Sequence, residues 1–183
     1  MDNGASSYRR FLEGDKQGLY ELICEYRIPL ILYLNSIVQN MHTAEDLAED
    51  TFFELASRRP SFSGNSSFKT WLFAIGHNIA AKQFRKNPNE IMVANDTYEQ
   101  VADEENIENN YLKTERNIMI HKALHKLNSD YRQILYLTYF EELSNDQAAA
   151  VMKKNKRQIR NLLYNAKKAL KSELERSGFD YEE

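Results

Sequence analysis

The stretch Leu143–Leu174, LSNDQAAAVMKKNKRQIRNLLYNAKKALKSEL, holds two helix starts separated by a few residues. Ser144 can cap a first helix, and Gln147, three positions on, can reach back to close a capping box. Asn155 and Gln158 repeat the arrangement for a second helix. The residues between, Met152 to Asn155, suffice for a turn and nothing larger. The second helix places Ile159, Leu162, Leu163, Ala166, Ala169, Leu170 and Leu174 on one face at helical spacing. Its other faces carry Lys156, Arg157, Arg160, Asn161, Lys167, Lys168 and Lys171. A short helix, a tight turn and a longer basic helix describe a helix-turn-helix, whose second helix presents its N-terminal residues to the major groove. A basic helix that only packs by its apolar stripe, with its charges in water, has the same pattern.

The 183-residue chain is long enough for one sizeable domain or two small ones. Three prolines, six glycines and no sustained two-residue alternation imply an all-α fold. The lone cysteine, Cys24, excludes a disulfide framework and fits a reducing cytoplasm. Neither an N-terminal signal nor an apolar run of spanning length occurs, so a soluble protein that is not membrane-embedded is expected. The net charge of −3 conceals segregation. Residues 1–86 are balanced, and residues 87–112 contain seven acidic side chains and no Lys or Arg. Residues 113–176 carry fourteen basic and seven acidic groups, so positive charge gathers around the helix-turn-helix.

Taken in order, Ser7–Asn40 reads as one or two amphipathic helices that Pro29 interrupts or restarts, with Cys24 among buried-type neighbours. Thr43 is the expected cap of the next helix, TAEDLAEDTFFELASRR, with Leu47, Leu55 and Phe52 or Phe53 inward. Its outer face of Glu45, Asp46, Glu49, Asp50 and Glu54 has no Lys or Arg at i+4 until Arg58, which suits a solvated face or a dock for a basic partner. Pro60–Ser67 is a loop, and Ser66 or Ser67 caps FKTWLFAIGHNIAAKQFRK, a helix that grows basic toward its end. A loop of aromatic and small polar residues before a basic helix can hold single-stranded nucleic acid. Asn87–Leu112 has no helical stripe and reads as a flexible acidic linker, followed by a helix from about Lys113 to Leu127. His121 and His125 stand at i, i+4 without a third ligand or an HExxH glutamate, so no metal and no other cofactor is expected.

These motifs together resemble the bacterial sigma-70 family of RNA polymerase sigma factors, in its compact extracytoplasmic-function class. The resemblance spans roughly Tyr8–Leu174. AEDLAEDTFFELASR is similar to the family's polymerase-binding helix, usually close to AEDLVQETFLRAW. FSGNSSFKTWLFAIGHNIAAKQFRK resembles the segment that takes the −10 promoter element. The stretch from Leu124 to Leu170 resembles the domain that reads the −35 element. Three departures stand out. Lys153 replaces a frequent Gly, so a different turn conformation is expected; a Pro near Asn128 is missing; and Glu49 stands where Gln is common.

The resemblance implies two small helical domains, residues 1–86 and 113–183, joined by the linker at 87–112. It implies binding to core RNA polymerase, through the β′ and β subunits, by Asp46, Leu47, Glu49, Asp50 and Phe52. It implies capture and melting of the −10 element by Phe62, Asn65, Ser66, Ser67, Lys69, Asn78, Lys82 and Arg85. It assigns the −35 element to Lys156, Arg157, Gln158, Arg160, Asn161, Lys167 and Lys168. Promoter DNA and an anti-sigma protein are the further partners implied; no small-molecule substrate and no chemistry of the chain's own are. A one-component helix-turn-helix regulator is the alternative, but it leaves the acidic face and the Phe62–Arg85 segment without a role. An enzyme built on His77 or on His121 and His125 lacks a nucleophile–base pair.

Overall fold

The computed structural model describes residues 3–86 and 107–179, with side chains for 3–85 and 116–179. Eight α-helices and one π-helical turn are present among them, with no strand: α1 Asn3–Leu12, α2 Lys16–Val38, α3 Met41–Arg58, α4 Phe68–Lys86, α5 Ile107–Lys126, α6 Ser129–Leu135, the π turn Tyr136–Phe140, α7 Asn145–Met152 and α8 Lys156–Arg176. The all-α fold is therefore as expected.

Helix starts follow local side-chain chemistry. Asp15 accepts from the Gln17 amide at the head of α2, and Ser67 accepts from the Thr70 amide at the head of α4. At α3 the cap is Asn40, which accepts from the Thr43 amide at 2.9 Å. Thr43 thus sits inside the helix and is not its cap. Pro29 neither breaks nor restarts α2, which runs through it. The carbonyl one turn earlier that proline leaves without a donor belongs to exposed Glu25, where water can replace it.

The first four helices enclose one apolar centre. Leu22, Leu30, Tyr33 and Leu34 of α2, Leu47 and Leu55 of α3, and Phe68, Leu72 and Phe73 of α4 are fully buried. α1 crosses α2 closely at Gly18, where a Cβ would stand 2.2 Å from the Ser7 carbonyl oxygen. Cys24 points outward to solvent, contrary to its apolar sequence neighbours. Phe52 is buried and Phe53 is 70 % exposed, which settles which of the adjacent aromatics faces inward.

α5 begins at Ile107, so the last six residues of the expected linker, 107–112, are helical; the rest of it, 87–106, lies outside the described residues. Asn128 caps α6 and accepts from the Tyr131 amide. The chain then widens into the π turn, where the Glu141 amide donates to the Tyr136 carbonyl, five residues back. Buried Ile134, Leu135, Leu137, Val151 and Ile159 hold α6, α7 and α8 together.

The two helical units pack on one another. α6 lies along α2, and α7 lies against α4. Arg132 of α6 donates Nε to the Ser36 carbonyl of α2 at 2.9 Å and Nη1 to the Leu127 carbonyl. Its guanidinium is buried, and that desolvation pulls its pKa down to about 10. Gln39, at the end of α2, donates to the His125 carbonyl at 2.8 Å.

Candidate nucleic-acid interface

The helix-turn-helix forms as its caps require. Both boxes close: Ser144 with Gln147, and Asn155 with Gln158, whose amide and carboxamide bonds to Asn155 are each 2.8 Å. Lys153 ends α7 at φ 53°, ψ 40°. It takes the left-handed conformation for which glycine is the usual residue, so the expected different turn is not found.

Ile159, Ala166 and Leu174 are the buried positions of α8, and Arg157, Arg160, Asn161 and Lys168 lie exposed on the opposite side. Two of the expected reading or anchoring groups are otherwise engaged. Gln158 spends its carboxamide oxygen on the cap, and Lys167 lies over the Tyr139 ring at 5.2 Å. Lys156 pairs with Asp146 at 2.7 Å in open solvent, where such pairs are weak.

The segment before and along α4 divides into two faces. The Tyr8 hydroxyl donates to the Pro60 carbonyl at 2.7 Å, and burial pushes its pKa up to about 12, so this bond stays intact across the physiological range. Phe62 packs on Phe68 and Trp71, with ring centroids 5.7 and 5.1 Å away. That stack fixes the base of the loop and leaves Asn65 exposed and Ser66 partly so. Asn78, Lys82 and Arg85 follow at i, i+4 and i+7 as an exposed ridge.

Lys69 projects from the opposite face, toward the C-terminal unit. Its ammonium reaches the Glu141 carboxylate at 2.6 Å and donates to the Glu141 carbonyl at 3.1 Å. Ser67 accepts from the Gln147 carboxamide at 3.4 Å. The structure therefore does not bring Lys69 and Ser67 together with Asn78, Lys82 and Arg85. His77 shares the covered side: its Nδ1 lies 2.9 Å from the Tyr33 hydroxyl, and burial, then Lys153, lowers its pKa.

On α3, Glu45, Asp46, Glu49 and Asp50 are exposed. Asp46 lies 3.3 Å from His42, and Glu54 pairs with Arg58. Leu47 and Phe52 are inside the fold, so neither offers a side chain to a partner; Phe53 stands in their place beside Glu49 and Asp50. Phe53 falls four residues after Glu49 and three after Asp50, which was the available signal. Glu141 had none, because its position depends on the π turn.

Comparison with known proteins places these features in one family. The sigma-70 region 2 family model matches residues 22–89, and the sigma-70 region 4 model matches residues 117–170, together about two thirds of the chain. The chain belongs to the sigma-70 family and, within it, is an extracytoplasmic-function sigma factor, a transcription initiation factor. It is 27 % identical to the RNA polymerase sigma factor YlaC of Bacillus subtilis over 88 % of this chain and 95 % of that one. It is likewise 27 % identical to the RNA polymerase sigma-H factor of Pseudomonas aeruginosa, over 91 % of each chain. Among solved structures, the sigma factor RpoE in complex with the anti-sigma factor NepR from Bartonella quintana shares the fold. That likeness has a TM-score of 0.66 and 23 % identity, covering 85 % of this chain and 96 % of that one. A one-component regulator is not favoured, since it gives no role to the region 2 match. Among the described residues no helix is long and apolar enough to cross a membrane.

Proposed function

We propose that this sigma factor divides its work among three surfaces. The exposed acids of α3, with Phe53 among them, dock on core RNA polymerase through its β′ and β subunits. Asn65 and Ser66 of the loop and the Asn78, Lys82 and Arg85 ridge take the −10 strand as the duplex opens, on the loop base that Phe62 fixes. Arg157, Arg160 and Asn161 read the −35 element from the major groove, and Lys168 anchors a phosphate farther along the helix. The units that carry these roles are residues 1–86 and 113–183, and the protein works in the cytoplasm without chemistry of its own.

One observation carries this reading: the uncommitted Arg157, Arg160 and Asn161 side chains at the head of a doubly capped helix. Arg157 and Arg160 are one turn apart, and paired guanidinium donors match the two acceptors of guanine. An anti-sigma protein is the regulatory partner we infer, on the precedent of the Bartonella sigma–anti-sigma complex. Run-off transcription with core polymerase and a library of −35 variants tests the assignment. Arg160→Ala is expected to relax preference at one position, at a cost of about 1–3 kcal/mol, and Lys168→Ala to weaken all promoters alike. The reverse pattern overturns it.

A further inference from the structure

α8 carries an aromatic ring at the centre of its open face. Tyr164 is 71 % exposed. At 100° per residue it lies within about 40° of Arg157 and Lys168 and directly away from buried Ala166. Arg160 and Asn161 stand four and three residues before it, and Lys168 and Lys171 four and seven after. These four and Arg157 are exposed, so the ring is framed by cations on both sides. Exposed Phe53, with Glu49 and Asp50 four and three residues before it, has no such frame.

Position along the axis gives the ring its place on DNA. Tyr164 is seven residues, about 10.5 Å, beyond Arg157. The major groove is about 12 Å wide, so a helix whose first turn meets base edges still has its third turn between the groove walls. The ring falls after the guanidinium pair and before the lysines that reach only phosphates. There a short polar side chain would find nothing, whereas a tyrosine presents an apolar ring to the groove floor and a hydroxyl to its wall. In the major groove, the apolar group that distinguishes one base pair from another is the thymine 5-methyl.

We propose that Tyr164 is a specificity-determining residue that packs its ring on the 5-methyl group of a −35 thymine, with its hydroxyl donating to a neighbouring phosphate oxygen. This rests on the assignment of α8 to the −35 element and adds to it an apolar contact beside the arginine contacts. Tyr164→Ala changes no buried contact and keeps a good helix former in α8, so the variant folds.

The test uses the full chain with core polymerase on promoters in which each −35 thymine in turn is replaced by deoxyuridine, which removes the methyl group alone. At one position this substitution is expected to lower promoter affinity about fourfold for the wild type and for Tyr164→Phe, the worth of one buried methyl group. Tyr164→Ala is expected to bind the two templates equally at that position. If no thymine is methyl-sensitive, or if Tyr164→Ala keeps the sensitivity, the proposal fails. Arg160→Ala, measured alongside, separates that failure from a wider one: unchanged base preference in Arg160→Ala removes the α8 assignment itself.

Discussion

The Lys69 ammonium lies 2.6 Å from the Glu141 carboxylate, joining α4 to the turn that precedes α7. The two partners are not equally placed. Glu141 retains 6 % of its side-chain exposure and Lys69 retains 29 %. Glu141 is also close to Tyr136, whose pKa is raised by burial and then by that carboxylate.

This asymmetry predicts unequal mutants. Lys69→Met leaves a buried carboxylate without its cation, a loss of about 3 kcal/mol in the packing of the two units. Glu141→Gln frees an ammonium that can turn to water and keeps an acceptor for the Tyr136 hydroxyl, so about 1 kcal/mol is expected. Urea titrations of the two variants check the order; equal losses would mean that the carboxylate is not buried in solution.

The same contact sets a condition on promoter binding. Elements centred near −10 and −35 are about 25 base pairs, or roughly 85 Å, apart along the duplex. α4 and α7 in contact cannot lie on both, so the Lys69–Glu141 and Ser67–Gln147 bonds are expected to break in the promoter complex. Dyes on Glu13→Cys and Ser177→Cys, both exposed sites, in a Cys24→Ser background report the distance. Energy transfer is expected to fall when core polymerase and promoter are added; unchanged transfer in a complex competent for transcription would refute the separation.

Local rules made the helix-turn-helix legible from the residues alone, because Ser144–Gln147 and Asn155–Gln158 are closed by neighbours three positions apart. Where two local signals competed, the reading either chose wrongly or stayed open. Asn40 and Thr43 are both good caps, and the structure uses the earlier one. Phe52 and Phe53 are adjacent aromatics, and only the register of α3 on α2 decides between them. The partners of Lys69 and Ser67 were beyond reach: Glu141 and Gln147 are 72 and 80 residues away in sequence, and no local pattern pairs them. The Asn78, Lys82 and Arg85 ridge was legible because its helical period is intact.

Lys153 offers a stability test of the turn. A residue with a Cβ at φ 53° carries a steric penalty of about 1–2 kcal/mol that glycine avoids, offset in part by the greater freedom of glycine in the unfolded chain. Lys153→Gly is therefore expected to gain about 0.5–1 kcal/mol, read as a higher urea midpoint with an unchanged slope. A loss would show that the exposed lysine side chain makes a stabilising interaction of its own.

Phe52 and Phe53 separate folding from docking at neighbouring positions. Phe52 is 7 % exposed, and its truncation to Ala leaves a cavity worth about 3–5 kcal/mol. Phe53 at 70 % exposure loses almost nothing on folding when truncated, and Ala favours the helix. If Phe53 seats in core polymerase beside Glu49 and Asp50, its loss removes the aromatic anchor from an otherwise charged surface. Such anchors commonly account for 2 kcal/mol or more, about a thirtyfold change in affinity. Phe53→Ala is expected to keep wild-type helicity and thermal midpoint while weakening binding to core polymerase by that order in a fluorescence titration. Wild-type affinity in Phe53→Ala would confine docking to the carboxylates, and a lowered thermal midpoint would place Phe53 in the packing of the fold.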